Sequence, residues 1–151
     1  MSYFLWIAGG LLGLVWFSRL VGAGLGMRRL ADLSQPQWNR TPATPNGDPR
    51  VSIIVPARNE GDHIEQTLAR LLQLDYGNYE VLAVNDRSTD HTGAVMDRVA
   101  TTPEAHGRLK VIHIDNLPSG WLGKVHAMWT AANQATGDWL LFTDADVLFK
   151  P

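Results

Sequence analysis

Trp139-Leu140-Leu141-Phe142-Thr143-Asp144-Ala145-Asp146 is the stretch on which the reading of this chain turns. An apolar run follows the turn formers Gly137-Asp138 and leads into two aspartates one residue apart. A run of that length and composition reads as a buried strand. Side chains two apart on an extended chain project to the same side, so Asp144 and Asp146 meet at the strand's end. There each carboxylate raises the cost of ionising the other. A hard divalent cation, Mg²⁺ or Mn²⁺, removes that cost, and such ions take one or two carboxylates together with phosphate oxygens. Taken alone, the pair also reads as a solvated acidic turn. The rest of the chain decides between the two.

Strand, polar turn and helix recur in that order upstream. Val51 to Pro56 is a short β-branched run. Asn59 then caps a helix beginning near Glu60, with Asp62 in the first turn at the positive end of the dipole. Ile64, Leu68, Leu71 and Leu72 fall at helical spacing and give that helix its buried face. Tyr79 to Val84 is a second strand, followed by the polar turn Asn85 to Asp90. A helix from Thr89 to Ala100 buries Val95, Met96 and Val99. Leu109 to Ile114 is a third strand, and the next helix carries Val125, Met128, Trp129 and Ala132 at i, i+3, i+4 and i+7. Strands alternating with helices through short connections make an α/β domain, a Rossmann-like parallel sheet with helices on both faces. Ligands gather at the carboxyl ends of the strands in such sheets. The polar clusters at residues 57–60, 85–90 and 144–146 all fall there, so acidic groups from distant segments converge on one edge.

Composition narrows the chemistry further. A net charge of -2 over 151 residues, with no long basic run, gives no electrostatic case for nucleic acid. Cysteine is absent, which excludes disulfides and thiolate metal sites. The five histidines are scattered without the spacing of a metal site.

The first 29 residues differ in kind. Tyr3 to Phe17 is apolar or small throughout, and the apolar character resumes after Ser18-Arg19 from Leu20 to Met27. Together these reach the roughly 20 residues needed to span a bilayer. Arg19 within the span costs about 2.5–3.5 kcal/mol on insertion scales, less when tilt lets it snorkel to an interface. A cleaved signal peptide is the rival reading, with Val21-Gly22-Ala23 imitating a cleavage site, but no basic region precedes the apolar stretch. Residues 1–29 therefore read as a single-pass membrane anchor, and Arg19, Arg28, Arg29 and Arg40, which all follow the apolar run Tyr3 to Phe17, place the remainder in the cytoplasm. Residues 30–50, rich in proline and turn formers, read as a linker to a domain over 51–151.

Four motifs in order then carry a resemblance. Ser52-Ile53-Ile54-Val55-Pro56-Ala57-Arg58-Asn59-Glu60, Val84-Asn85-Asp86-Arg87-Ser88-Thr89-Asp90, Gly123-Lys124 with Ala127, and Thr143-Asp144-Ala145-Asp146 resemble the family-2 glycosyltransferases of GT-A fold. The resemblance runs from Val51 to Pro151, and Gly120-Trp121-Leu122-Gly123-Lys124 looks like membrane-bound branches near the hopanoid-associated transferases. It implies a metal-dependent, inverting transfer from a nucleotide-diphosphate sugar, a UDP-sugar favoured, to a lipid or polysaccharide acceptor at the membrane. By the same resemblance Pro56, Ala57 and Glu60 lie against base and ribose, and Asp86 reads the base. Lys124 meets the diphosphate, and Asp144 and Asp146 hold Mg²⁺ or Mn²⁺.

Each residue keeps a plainer reading beside this one. Glu60 and Asp90 also suit helix N-termini, Asp86 suits a turn, and Lys124 suits a solvated helix face. Trp121 and Trp129 serve either as core or, for Trp121, as a platform for a sugar. Asn85 departs from the family, which often has a first aspartate there. No residue matches the family's general base by motif, so that base is expected beyond Pro151, and 51–151 is read as the donor-binding half. Two alternatives stay open: a non-catalytic nucleotide-binding module working with a partner chain, and an Mg²⁺-binding receiver-like switch domain.

Overall fold

The computed structural model describes residues 2–27, 35 and 47–150. The chain divides into two compact units, Met1–Ala43 and Thr44–Pro151. In the first, α1 (Ser2–Met27) is one continuous helix, exposed along its described side chains. Its 24-residue apolar stretch, Tyr3–Gly26, is long and apolar enough to cross a membrane, about 36 Å at 1.5 Å per residue. Most of the linker, with Arg28, Arg29 and Arg40, lies outside the described residues.

The second unit runs β1 (Val51–Ala57), α2 (Ile64–Leu71), β2 (Tyr79–Asp86), α3 (Thr92–Ala100), β3 (Leu109–Ile114), α4 (Gly123–Ala132) and β4 (Trp139–Phe142). All pairings are parallel and the strand order is β3-β2-β1-β4. Side chains alternate across the sheet, and that alternation divides the core in two. Ile53, Val55 and Ala57 with Val81 and Ala83 face α2 and α3, where they meet Ile64, Leu68, Leu71, Val95 and Met96. Ile54, Leu82, Val84, Ile112 and Ile114 face α4 through Ala127 and Ala131. The central strands β1 and β2 are buried on both faces, as a parallel sheet with helices on each side requires. A receiver-like domain has its first strand between the second and third. Here β2 lies between β1 and β3, so the receiver-like alternative falls.

Three expectations are corrected. β4 is not a buried strand: Trp139, Leu140, Leu141 and Phe142 are all exposed, Trp139 by 67%. It pairs only with β1, and its apolar side chains stay 40–67% exposed. Secondly, α4 buries His126, Ala127 and Ala131, whereas Val125 and Trp129 are exposed. Small side chains let this helix approach β1 and β2 closely and turn its large ones outward. Thirdly, Asn59 caps no helix, since α2 starts at Ile64 after His63. Asn59 sits instead in the left-handed region at φ 57°, which asparagine tolerates, and its Oδ1 accepts from Thr89 N at 2.8 Å.

Polar contacts fix the register at the far end of the sheet from the acidic loops. Glu80 Oε1 accepts from Ser52 Oγ at 2.6 Å, Thr136 N at 2.6 Å and Thr136 Oγ1 at 2.8 Å. Burial opposes ionisation of Glu80, but the hydrogen bonds from Ser52 and Thr136, with the charge of Arg50, hold its carboxyl below the ordinary 4.5. Gly137 donates to Ser52 Oγ at 2.8 Å. A Cβ on Gly137 would lie 2.6 Å from Ser52 N, so only glycine lets β4 enter in this register.

Candidate functional site

Strand order fixes where the site lies. The chain steps from β1 outward to β2 and β3, then crosses back to add β4 on the other side of β1. The crevice beyond the ends of β1 and β4 is therefore the topological switch point, where open α/β sheets bind ligands. A cavity of about 300 Å³ opens there. Pro56 and Ala57 end β1, Glu60 follows on its loop, Asp86 ends β2, Lys124 stands in the first turn of α4, and Asp144 and Asp146 follow β4; all line this cavity. The structure thus brings together Pro56, Ala57, Glu60, Asp86, Lys124, Asp144 and Asp146. Arg58 and Ala145 complete the lining. A second cavity of about 360 Å³ shares Pro56, Lys124 and Asp144 and extends past Met128, Phe142 and Val147.

Four carboxylates line the first cavity, and two of them have a cation against them. Asp86 is 4% exposed and faces the α4 side of the sheet. Both its oxygens accept from Arg87, Nε at 2.8 Å and Nη2 at 3.1 Å, a bidentate pair of the stronger kind. Hydrogen bonding to Asp86 raises the pKa of the Arg87 guanidinium against the effect of its burial. To make this fork Arg87 takes φ 54°, a strained conformation for a residue other than glycine or asparagine. Gly123 admits the fork, because a Cβ there would lie 2.5 Å from Arg87 Nη2 and 2.7 Å from Asp86 Oδ2. Lys124 Nζ donates to Asp144 Oδ1.

Asp144-Ala145-Asp146 is a turn after the strand rather than its last residues. Ala145 is 5% exposed and packs into the core on the α2 side, with both flanking aspartates exposed. The loops after β1 and β2 are fastened to each other. Asn59 N donates to Ser88 Oγ at 3.0 Å, Glu60 N to Thr92 Oγ1 at 2.8 Å and Gly61 N to Asp90 Oδ2 at 3.1 Å. Hydrogen bonds from Thr92 Oγ1 and Thr92 N, against some burial and helped by Gly61 N, hold the Asp90 carboxyl below its usual range. Asp90 thus fixes the loop that carries Glu60 and does not itself line the cavity.

The donor set suits a hard divalent cation. Asp144 and Asp146 supply two carboxylates, and no group of three or more histidine or acidic side chains is gathered for a metal among the described residues. Mg²⁺ and Mn²⁺ are commonly held in this way, with phosphate oxygens and water completing the shell. Trp121 does not line the cavity; its ring stands 5.3 Å from His126 and 5.2 Å from Trp129 in a cluster on α4. Sequence reasoning assigned no role to Arg58 or Arg87. Its only signal for Arg87 was that it adjoins Asp86.

Comparison with known proteins agrees with this geometry. Residues 52–151 match the model of glycosyl transferase family 2. The chain is 33% identical over 99 residues to 4,4'-diaponeurosporenoate glycosyltransferase of Staphylococcus aureus, covering 66% of this chain and 24% of that protein. It is 33% identical over 100 residues to the probable glycosyltransferase YdaM of Bacillus subtilis, covering 65% and 23%. The chain thus spans about a quarter of the length of these curated relatives. Among solved structures, the mannosyltransferase PcManGT from Pyrobaculum calidifontis, in complex with GDP-Man and Mn²⁺, superposes with a TM-score of 0.61 at 34% identity, over 77% of this chain and 34% of that one. S. aureus TarS 1-349 in complex with UDP-GlcNAc gives a TM-score of 0.51 at 29% identity, over 64% and 26%. With two thirds of the chain matched by the family model and the fold shared with these enzymes, the chain belongs to glycosyl transferase family 2.

Proposed function

We propose that residues 51–151 form the donor-binding part of a glycosyltransferase that passes a sugar from a nucleotide-diphosphate donor, with inversion, to a lipid or polysaccharide acceptor. The observation that carries this is the cavity at the β1–β4 switch point, lined by residues from four separate segments. Pro56 and Ala57 lie against the base, Asp86 accepts from a base N–H, and Glu60 accepts from a ribose hydroxyl. Lys124 donates to the diphosphate, and Arg58 adds a second cation facing the same anion. Asp144 and Asp146 hold Mg²⁺ or Mn²⁺; the chemistry such an ion supplies is neutralisation of charge developing on the departing nucleoside diphosphate. Related enzymes in complex with GDP-Man and Mn²⁺ and with UDP-GlcNAc support a nucleotide-sugar ligand, and we favour a UDP-sugar.

The reading extends to the rest of the chain. We assign residues 1–29 as a single-pass membrane anchor, 30–50 as a linker, and the domain to the cytoplasmic face. The apolar helix Tyr3–Gly26 supports the anchor. The exposed apolar side chains of β4 support a donor half working with further protein. Incubation with a panel of nucleotide sugars and Mn²⁺ tests the proposal. Transfer or slow hydrolysis of one of them is expected. Binding without any turnover, also when an acceptor-bearing partner is supplied, favours a non-catalytic module.

A further inference from the structure

The aspartate turn is held from beneath by a residue outside every motif. Thr67 lies in the middle of α2 and is fully buried. A threonine hydroxyl within a helix commonly bonds back to the carbonyl four residues earlier. Here Thr67 Oγ1 donates instead to Ala145 O at 2.7 Å, a buried bond joining residues 78 apart in sequence. Ala145 is the central residue of Asp144-Ala145-Asp146, and its side chain is part of the core that α2 helps to build. Phe149, four residues on, packs against the same core. One buried hydroxyl thus fixes the carbonyl between two exposed carboxylates.

We propose that Thr67 is a positioning residue for the paired carboxylates, setting their spacing for a divalent cation bound with a nucleotide diphosphate; this rests on the donor-site reading above. Without the hydroxyl, the Ala145 carbonyl is buried with no donor and the turn moves to recover one. Asp144 and Asp146 then lose their common orientation, whereas Pro56, Ala57 and Asp86 keep theirs.

The test is calorimetric titration of the full chain with UDP, with and without Mn²⁺, for Thr67→Val, Thr67→Ala and Thr67→Ser. In the unmodified chain Mn²⁺ is expected to strengthen UDP binding. Thr67→Val and Thr67→Ala are expected to lower the affinity measured with Mn²⁺ by about tenfold and to leave the metal-free affinity unchanged. Thr67→Ser, which keeps the hydroxyl, retains the metal effect. Should Thr67→Val not fold, the alanine and serine variants decide. Metal effects equal to the unmodified chain in Thr67→Val or Thr67→Ala overturn the positioning role alone, as does an equal loss with and without metal. No effect of Mn²⁺ on UDP binding by the unmodified chain overturns the donor-site reading and this inference with it.

Discussion

Lys124 in the first turn of α4 donates to the carboxylate of Asp144, twenty residues away, so a side-chain cation stands against the first aspartate of the pair. Both side chains are more than half exposed, and pairs of that kind contribute only about 0.2–1 kcal/mol. On the donor-site proposal, a diphosphate would draw the lysine off and leave Asp144 to a metal ion.

Lys124→Met separates these two roles. Mn²⁺ binding without nucleotide should strengthen by about two- to fivefold, because no ammonium competes for Asp144. UDP binding in the presence of Mn²⁺ should weaken by about tenfold, because a charged donor to the phosphates is lost. Calorimetry with each ligand reads both, and a change of the same sign in both removes Lys124 from the site.

Gly123 tests the pairing of Asp86 with Arg87. Gly123→Ala places a methyl within 2.7 Å of Asp86 Oδ2 and 2.5 Å of Arg87 Nη2, so the fork must open. UDP affinity should fall by about tenfold with a small change in melting temperature, since side chains rather than backbone give way. Unchanged affinity would show that Asp86 does not read the nucleotide.

Acid stability should depend on Glu80. Its pKa is depressed in the folded protein, so its contribution is complete above the ordinary value of 4.5 and is lost as pH falls through the lower, folded value. Glu80→Gln is expected to lower stability at pH 7 by about 1 kcal/mol. It should also flatten the pH dependence below pH 4.5. Urea titrations between pH 7 and pH 3 measure this, and a variant with an unaltered acid limb contradicts it.

The anchor is tested by fractionation. The full chain should sediment with membranes, resist extraction by high salt, and become soluble when residues 1–29 are deleted, because a helix of this length is held by apolar transfer rather than charge. A full-length chain that stays in the soluble fraction removes the assignment.

Most of the architecture was legible because alternating strands and helices leave a strong periodic trace; β3 matches its sequence reading from Leu109 to Ile114. The errors share a cause, which is that apolar content does not say who the neighbours are. Trp139 to Phe142 read as buried, yet β4 is an edge strand. In α4 the alanines at 127 and 131 have the same i, i+4 spacing as Val125 and Trp129, and hydrophobicity favoured the wrong pair. Asn59 has the composition of a cap, but a hydrogen bond to a loop thirty residues away claims its side chain. The cavity residues were legible through their motifs and the rule that loops at the carboxyl ends of strands converge. Thr67 and Arg87 were not: the role of one lies in a contact 78 residues distant, and that of the other in a positive φ.

On the proposed function, Asp146, with Asp144, binds the cation that makes this cavity a nucleotide-diphosphate site. Calorimetric titration of UDP into Asp146→Ala and the unmodified chain, each with and without Mn²⁺, tests it most directly. Mn²⁺ is expected to strengthen UDP binding only in the unmodified chain, with the variant about tenfold or more weaker and its melting temperature preserved. An undiminished Mn²⁺ effect in a folded Asp146→Ala protein would contradict it.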